Sequence, residues 1–148
     1  MALSSRIAIF DHGTLQQIAT PSNVYERPAN RFVAEFLGDI NVFPARFDAG
    51  TAHLDATRID LPMPIPTGAT HLAVRPENMT LLAAEAPGAL PCRVVDRVYM
   101  GATSRLHLQA LASQTSIVLD HPTASLPAIA EPGREIWVHW APSVSLIF

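Results

Sequence analysis

The stretch Thr20–Gly38, TPSNVYERPANRFVAEFLG, decides how the chain is organised. Thr20 can cap a helix with its hydroxyl, and Pro21 follows at the first helical position, where a missing N–H costs nothing. Pro28 ends this helix because its ring collides with a preceding helical carbonyl. Asn30 can then cap a second helix. The stretch therefore predicts two short helices in succession.

The second of these helices carries one apolar stripe. Phe32, Val33, Phe36 and Leu37 fall at helical spacing, and Gly38 can close the helix. Nothing like this helical pair follows later in the chain. Such a stripe is typical of the face that a helix buries.

The segments on either side of the helices read as strands. Arg6–Phe10 and Thr14–Ala19 form a predicted hairpin around the tight turn Asp11–Gly13. From Asp39 onward, short strand-like runs alternate with proline and glycine. The predicted strands are Val42–Phe47, Ala52–Asp55, Arg58–Leu61, His71–Val74, Met79–Leu82, Cys92–Tyr99, Ser104–Gln109, Ser116–Leu119, Glu135–Trp140 and Val144–Ile147. This pattern predicts a mainly β protein with a small barrel or sandwich.

Composition argues against several classes of function. With a net charge of −3 over 148 residues, the chain has no basic surplus for nucleic acid. No apolar run approaches the roughly 18 residues of a membrane span. The single cysteine, Cys92, cannot form an internal disulfide, which suits the cytoplasm, and it reads as a small buried strand residue.

The residues offer little support for catalysis. All 10 basic residues are arginine, so the lysine of a Walker phosphate loop is missing and Schiff-base chemistry is excluded. The six histidines lack metal-binding spacing. Asp120–His121, followed by Pro122, reads as a turn rather than part of a triad. We expect no enzyme activity, no metal and no cofactor in this chain.

Two places remain as candidate contact sites. Arg75 and Glu77 flank Pro76 after an apolar strand, where they form either a solvated surface pair or part of a subunit contact. Trp137 alternates away from Trp140. Trp140 is therefore expected in the core, while Trp137 is either packed or at the rim of a partner surface.

These segments resemble one family. They look like the end of the nucleotide-binding domain of ATP-binding cassette importers, followed by the OB-like regulatory barrel called TOBE. The residues that carry the resemblance are Arg6–Phe10, Gln17–Pro21, Val24–Gly38, Leu72–Glu77, Val98–Gly101, Val138–Trp140 and Leu146–Ile147. Asp39–Phe43 is similar to the spermidine/putrescine branch.

The resemblance implies a division into residues 1–38, a remnant of the ATPase domain, and residues 39–148, the TOBE barrel. It implies a fragment of a longer ATPase, whose ATP- and Mg-binding motifs would lie upstream. Tyr25, Phe32 and Phe36 would form the joint between domains. The barrel would have a regulatory and dimerising role, with Arg75, Glu77 and Trp137 as candidate contacts.

The implied partners are a second copy, the ATPase domain and transmembrane permease subunits at the cytoplasmic membrane. Some members also receive a regulatory protein or a small oxyanion. Two other interpretations stay open. A stand-alone oxyanion-binding barrel would need no ATPase joint, and a nucleic-acid-binding barrel would need a basic groove. Calorimetry with oxyanions and salt-dependent oligonucleotide binding discriminate these from the importer interpretation.

Overall fold

The computed structural model describes residues 5–148 and opens with the predicted hairpin. Strand β1 (Ile7–Asp11) pairs antiparallel with β2 (Thr14–Ala19). The turn between them has positive φ at His12 (46°) and Gly13 (79°), as a type I′ hairpin turn requires. The predicted hairpin is confirmed.

Both predicted helices are present. Helix α1 (Pro21–Glu26) begins after Thr20, whose hydroxyl accepts from the Asn23 N–H at 3.4 Å. Helix α2 (Arg31–Phe36) begins after Asn30, whose side chain accepts from the Val33 N–H at 3.0 Å. Each cap satisfies an N–H that has no partner inside its helix.

The rest of the chain is built from strands, as predicted for an OB-like barrel. They are β3 (Asn41–Pro44), β4 (Arg46–Asp48), β5 (Thr51–Leu54), β6 (Thr57–Asp60), β7 (His71–Val74), β8 (Thr80–Leu82), β9 (Leu90–Tyr99), β10 (Thr103–Ala110), β11 (Ser116–Pro122), β12 (Glu135–His139) and β13 (Leu146–Ile147). Among the described residues these form sheets in the orders β11-β10-β9-β12-β8, β13-β7-β3 and β4-β5-β6. The mainly β fold class is confirmed.

Two sequence expectations need correction. The predicted strand Val42–Phe47 is two strands, because β3 pairs with β7 whereas β4 pairs with β5 in another sheet. Asp120–His121 is not a turn but the continuation of β11, which stays paired with β10 as far as Pro122. Both errors concern long-range pairing, which local propensity does not report.

Two apolar clusters occupy the described chain. The larger unites buried side chains from all three barrel sheets, including Leu72, Leu106 and Ile136. The smaller consists of Ile9, Val24 and Val33, with partly buried neighbours from the hairpin and α2. Each cluster excludes water from its own part of the chain. The predicted boundary at residues 38 and 39 lies between these clusters and stays a prediction.

The tryptophan pair behaves as the alternation predicts. Trp140 is 3% exposed, and its ring stacks on Phe43 with 5.8 Å between centroids. Its indole N–H donates to Ser145 at 3.1 Å, which satisfies the polar end of the ring. Trp137 is half-buried. Over residues 5–148, none of the helices is long and apolar enough to cross a membrane.

Candidate functional site

The C-terminal ends of both helices converge on one barrel residue, Arg75. This side chain is only 3% exposed. Its Nη2 donates to the Tyr25 carbonyl of α1 at 3.1 Å. Its Nη1 lies 3.5 Å from the Ala34 carbonyl of α2 and 3.5 Å from the Asp39 carbonyl, which are longer and weaker contacts. One guanidinium therefore joins α1, α2 and the segment that leaves them.

The contacts of Arg75 satisfy carbonyl groups at the C-terminal ends of the helices. The last carbonyls of a helix have no partner within it, and the aligned peptide dipoles place partial negative charge there. A buried cation with several fixed donors satisfies such carbonyls and their charge at once. Arg75 is therefore a shared C-terminal cap, supplied by the barrel to carbonyls that precede it by 41 and 50 residues.

Tyr25 completes the contact from the helix side. The Arg75 Cζ atom lies 3.7 Å from the centroid of the Tyr25 ring, a cation–π geometry. The Tyr25 hydroxyl donates to the Glu77 carboxylate. Partial burial, followed by this hydrogen bond, raises the pKa of Tyr25 to about 12. Tyr25 therefore contacts the barrel through its ring, its hydroxyl and its carbonyl.

Local sequence explains how Arg75 is presented. Strand β7 ends at Val74, and a 3-10 turn over Pro76–Asn78 follows directly. A proline disfavours helical backbone in the residue before it, and Arg75 accordingly has extended angles of φ −75° and ψ 146°. Gly38 faces the same guanidinium: a Cβ added there would lie 4.0 Å from Nη1.

A second polar contact, made by Arg105, lies just after the helices. The Arg105 guanidinium contacts Asp120 through two bonds of 2.8 and 2.9 Å and reaches Asp39 at 2.6 Å. The hydrogen bonds to Asp120 and then Asp39 raise the pKa of Arg105. A bidentate arginine–carboxylate pair fixes geometry as well as charge. The start of the barrel is thus attached to β10 and β11.

Asn41 makes a third polar contact at the same end of the barrel. Its side chain donates to the Val118 carbonyl at 2.7 Å and accepts from the Val118 N–H at 2.8 Å. Asn41 is 5% exposed, so both bonds are shielded from water. The amide takes the place of a neighbouring strand and connects β3 to β11 through one residue.

The candidate joint residues have different positions. Tyr25 lies at the contact with the barrel, and Phe32 packs partly buried against the smaller apolar cluster. Phe36 is 65% exposed, so this end of the apolar stripe is not buried in the chain, and the role of Phe36 in a joint between domains stays a prediction. The rings of Phe32 and Phe36 stack with 6.0 Å between centroids, which leaves the Phe36 ring on the outside of α2.

The candidate contact residues also differ from one another. Arg75 is buried within the chain, so the surface-pair interpretation of that residue is wrong. Glu77 is exposed and holds Tyr25. Trp137 lines an open groove of about 670 Å³ together with Arg58 and Glu85. These residues therefore do not form one surface patch, and their role in a subunit contact stays a prediction.

Sequence reasoning missed Asp39, Asn41 and Arg105. Their roles depend on partners 66 and 77 positions away in the chain, which only sheet pairing brings close. The available signal was weak: Asp39 directly follows Gly38, where the chain leaves a helix, and Asn41 lies two residues further on. Within residues 5–148, no three His, Cys, Asp or Glu side chains gather as metal ligands would.

The joint also borders a cavity of about 310 Å³. Arg75 and Tyr25 line it together with Arg27 and the segment Ser143–Leu146. The α1 carbonyls at this end carry partial negative charge, and Arg75 already supplies a cation to them. The described geometry thus serves to hold two parts of the chain together.

The fold and this joint define a class of protein, the TOBE domain. The family model described as "TOBE domain" matches residues 72–148, which is about half of the chain and includes Arg75, Glu77 and Trp137. The chain belongs to this family.

Similar proteins extend the match over the whole chain. The chain is 33% identical, over 99% of its length, to a spermidine/putrescine import ATP-binding protein PotA of Pseudomonas fluorescens. It is 38% identical over 80% of its length to the protein of that name in Ruegeria pomeroyi, and 33% over 93% in Marinobacter nauticus. The chain spans 43%, 34% and 41% of the length of these relatives.

Proposed function

We propose that the chain is the C-terminal, non-catalytic part of the ATP-binding subunit of an importer, with polyamines such as spermidine or putrescine as the solute. The observation that carries this proposal is the similarity of the whole chain, helices and hairpin included, to importer ATP-binding proteins. A free-standing barrel would need neither the hairpin nor the two capped helices. Residues 1–38 then belong to the ATPase domain and residues 39–148 to the regulatory barrel.

The barrel has a regulatory and dimerising role in this proposal. Two copies meet through their barrels and stay together while the ATPase domains open and close. The groove at Trp137 is the candidate contact, because its lining includes a half-buried tryptophan and Arg58, and tryptophan and arginine are residue types enriched at protein interfaces. Arg75 contributes through the helices that it caps, since its own surface is already covered.

The proposed partners are the remaining ATPase domain, transmembrane permease subunits and a second copy of the chain. ATP and Mg²⁺ would bind the ATPase domain, because this chain has no lysine and hence no Walker phosphate loop. The subunit would lie at the cytoplasmic face of the membrane, held there by the permease.

The native size of the polypeptide tests this proposal first. An immunoblot with an antibody against residues 39–148 should detect a band much heavier than the 16.0 kDa of this chain, in the membrane fraction and together with permease subunits. A band of 16.0 kDa in the soluble fraction would contradict it and would favour the oxyanion-binding barrel. Calorimetry with molybdate, sulfate and phosphate then tests that alternative directly.

A further inference from the structure

The buried guanidinium of Arg75 does more than stabilise a loop. It contacts backbone atoms of α1, of α2 and of the segment that follows them, although it belongs to the barrel. We propose that Arg75 is a rigid mechanical coupling, which forces the helical pair and the barrel to move as one body.

Four contacts constrain the helical pair relative to the barrel. The bond to the Tyr25 carbonyl at 3.1 Å opposes separation of α1 from the barrel. The Tyr25 ring, 3.7 Å below Cζ, opposes sliding, and its hydroxyl is held by Glu77 two residues beyond Arg75. The contact with the Ala34 carbonyl extends the constraint to α2. Contacts in different directions leave little freedom for hinge motion.

The coupling is permanent over the physiological pH range. An arginine guanidinium stays charged at any such pH. The pKa of Tyr25 is raised to about 12, so its hydroxyl remains a donor to Glu77. The contact of Arg75 with Tyr25 and Glu77 therefore holds the helices at a fixed position and does not respond to pH. A rotation of the helices would move β7 as well, because Arg75 directly follows Val74, the last residue of that strand.

This inference rests on the proposed function in one respect: the helices must belong to the ATPase domain for the coupling to carry information. If they do, the barrel reports the orientation of that domain, and a partner that holds the barrel also restrains the ATPase. Arg75 is then a positioning residue, which acts through the backbone that it caps.

Distance measurements on the 148-residue chain test the coupling. Spin labels are attached to Ser22→Cys on α1 and Ala112→Cys in the turn after β10, two exposed positions. Cys92 is fully buried, and its pKa is raised to about 12 by that burial, so it should not take up the label. Double electron–electron resonance then gives the distribution of distances between the helical pair and the barrel.

We expect a narrow distribution with Arg75 intact and at least a twofold broader one with Arg75→Lys, because lysine keeps the charge but not the planar, multidentate fork. Arg75→Gln should broaden it further. The matched control is Arg93→Gln, which removes an exposed arginine bonded to Glu135 at 2.9 Å, and it should leave the width unchanged. Circular dichroism confirms that each variant is folded.

A width unchanged in both Arg75 variants would overturn the coupling. If both variants unfold, Tyr25→Leu decides, since it removes the stacked ring and the bond to Glu77 but keeps the arginine and its carbonyl contacts. An unchanged width in Tyr25→Leu would show that the Tyr25 ring and its bond to Glu77 do not hold the helices to the barrel, which contradicts the contacts proposed for the coupling. These outcomes concern the chain alone, so they are independent of the immunoblot that tests the importer assignment.

Discussion

Arg75 illustrates what a single buried charge can do when its partners are backbone carbonyls. A buried guanidinium is costly unless each of its donors finds an acceptor. Here the acceptors are helix-end carbonyls at Tyr25 and Ala34, which would otherwise be unsatisfied themselves. The bonds between the guanidinium and these carbonyls thus offset the cost of removing both kinds of group from water. Asn41 follows the same logic with a neutral amide and the backbone of Val118.

The first residue-scale prediction concerns Asn41. Asn41→Ala should lower the free energy of unfolding by about 1–3 kcal/mol, because it leaves the partly buried N–H and C=O of Val118 without these partners. Urea denaturation measures the change. Asn78→Ala, at an exposed position, is the control and should stay within about 0.5 kcal/mol of wild type. Equal losses in the two variants would show that the Asn41 bonds do not contribute.

A second prediction concerns the pH dependence of stability. Burial raises the pKa of the Cys92 thiol from 9.0 to about 12. The unfolded thiol ionises first, so the stability that this group contributes is complete below pH 9 and is lost as pH rises toward 12. Tyr25, raised from 10.0 to about 12, acts in the same direction at the upper end.

Urea midpoints measured at intervals from pH 8 to pH 11 test this dependence. The midpoint should fall as pH rises, and the fall should be shallower in Cys92→Ala, which lacks the thiol. Identical pH slopes in wild type and Cys92→Ala would contradict the prediction. In the native chain, iodoacetamide should react with Cys92 only after unfolding, because the thiol is 0% exposed.

At the scale of elements, the hairpin and helices depend on their surroundings. Helices of six residues are far too short to persist alone in water, and an isolated two-stranded hairpin is marginal. Here a small cluster of Ile9, Val24 and Val33 supports them from inside. On the outside, Phe10 and Phe36 are 59% and 65% exposed, which leaves apolar surface free for further contacts.

The two faces of α2 should respond differently to truncation. Val33→Ala should cost about 1–3 kcal/mol of unfolding free energy, since Val33 is 0% exposed within the smaller cluster. Phe36→Ala should cost less than about 1 kcal/mol in this chain, because its ring is mostly in water. Denaturant unfolding of both variants compares them. A larger loss in Phe36→Ala than in Val33→Ala would mean that its ring is covered in solution, for instance by a second copy.

At the scale of the whole molecule, the chain combines two apolar clusters with polar ties between their elements. Arg75 and the ion pair between Arg105 and Asp39 lie between the two clusters. Hydrophobic burial stabilises each part, whereas directional bonds fix their relative orientation. The proposed coupling through Arg75 depends on this combination.

The proposed homodimer gives the prediction at this scale. Light scattering at micromolar concentration should give twice the 16.0 kDa mass of the chain. Trp137→Ala should weaken association at least about tenfold if the Trp137 groove is the contact. The matched control is Tyr99→Ala, which removes another aromatic ring, 74% exposed, at the far end of β9. A monomer in wild type would contradict dimerisation, and an effect confined to Tyr99→Ala would move the interface to the β9–β10 hairpin.

Much of the architecture was predictable because its signals are local. The capping residues Thr20 and Asn30 begin the helices, and proline and glycine separate the strands. Within the candidate site, the sequence singled out Tyr25, Arg75 and Glu77, yet not their contact with one another. It also led us to expect Phe36 in a buried stripe, because helical periodicity shows which side chains share a face but not what covers that face.

The sequence alone determined the hairpin, the two helices and the mainly β barrel, since hydrophobic alternation, caps and turn residues act over a few positions. It also excluded phosphate-loop chemistry, because the chain has no lysine. The tertiary structure decided the rest. It split the strand predicted at Val42–Phe47 between two sheets, and it placed Arg75 beneath two helices. The reason is physical: these features join residues far apart in the chain, and only packing of the sheets and helices brings such residues within bonding distance.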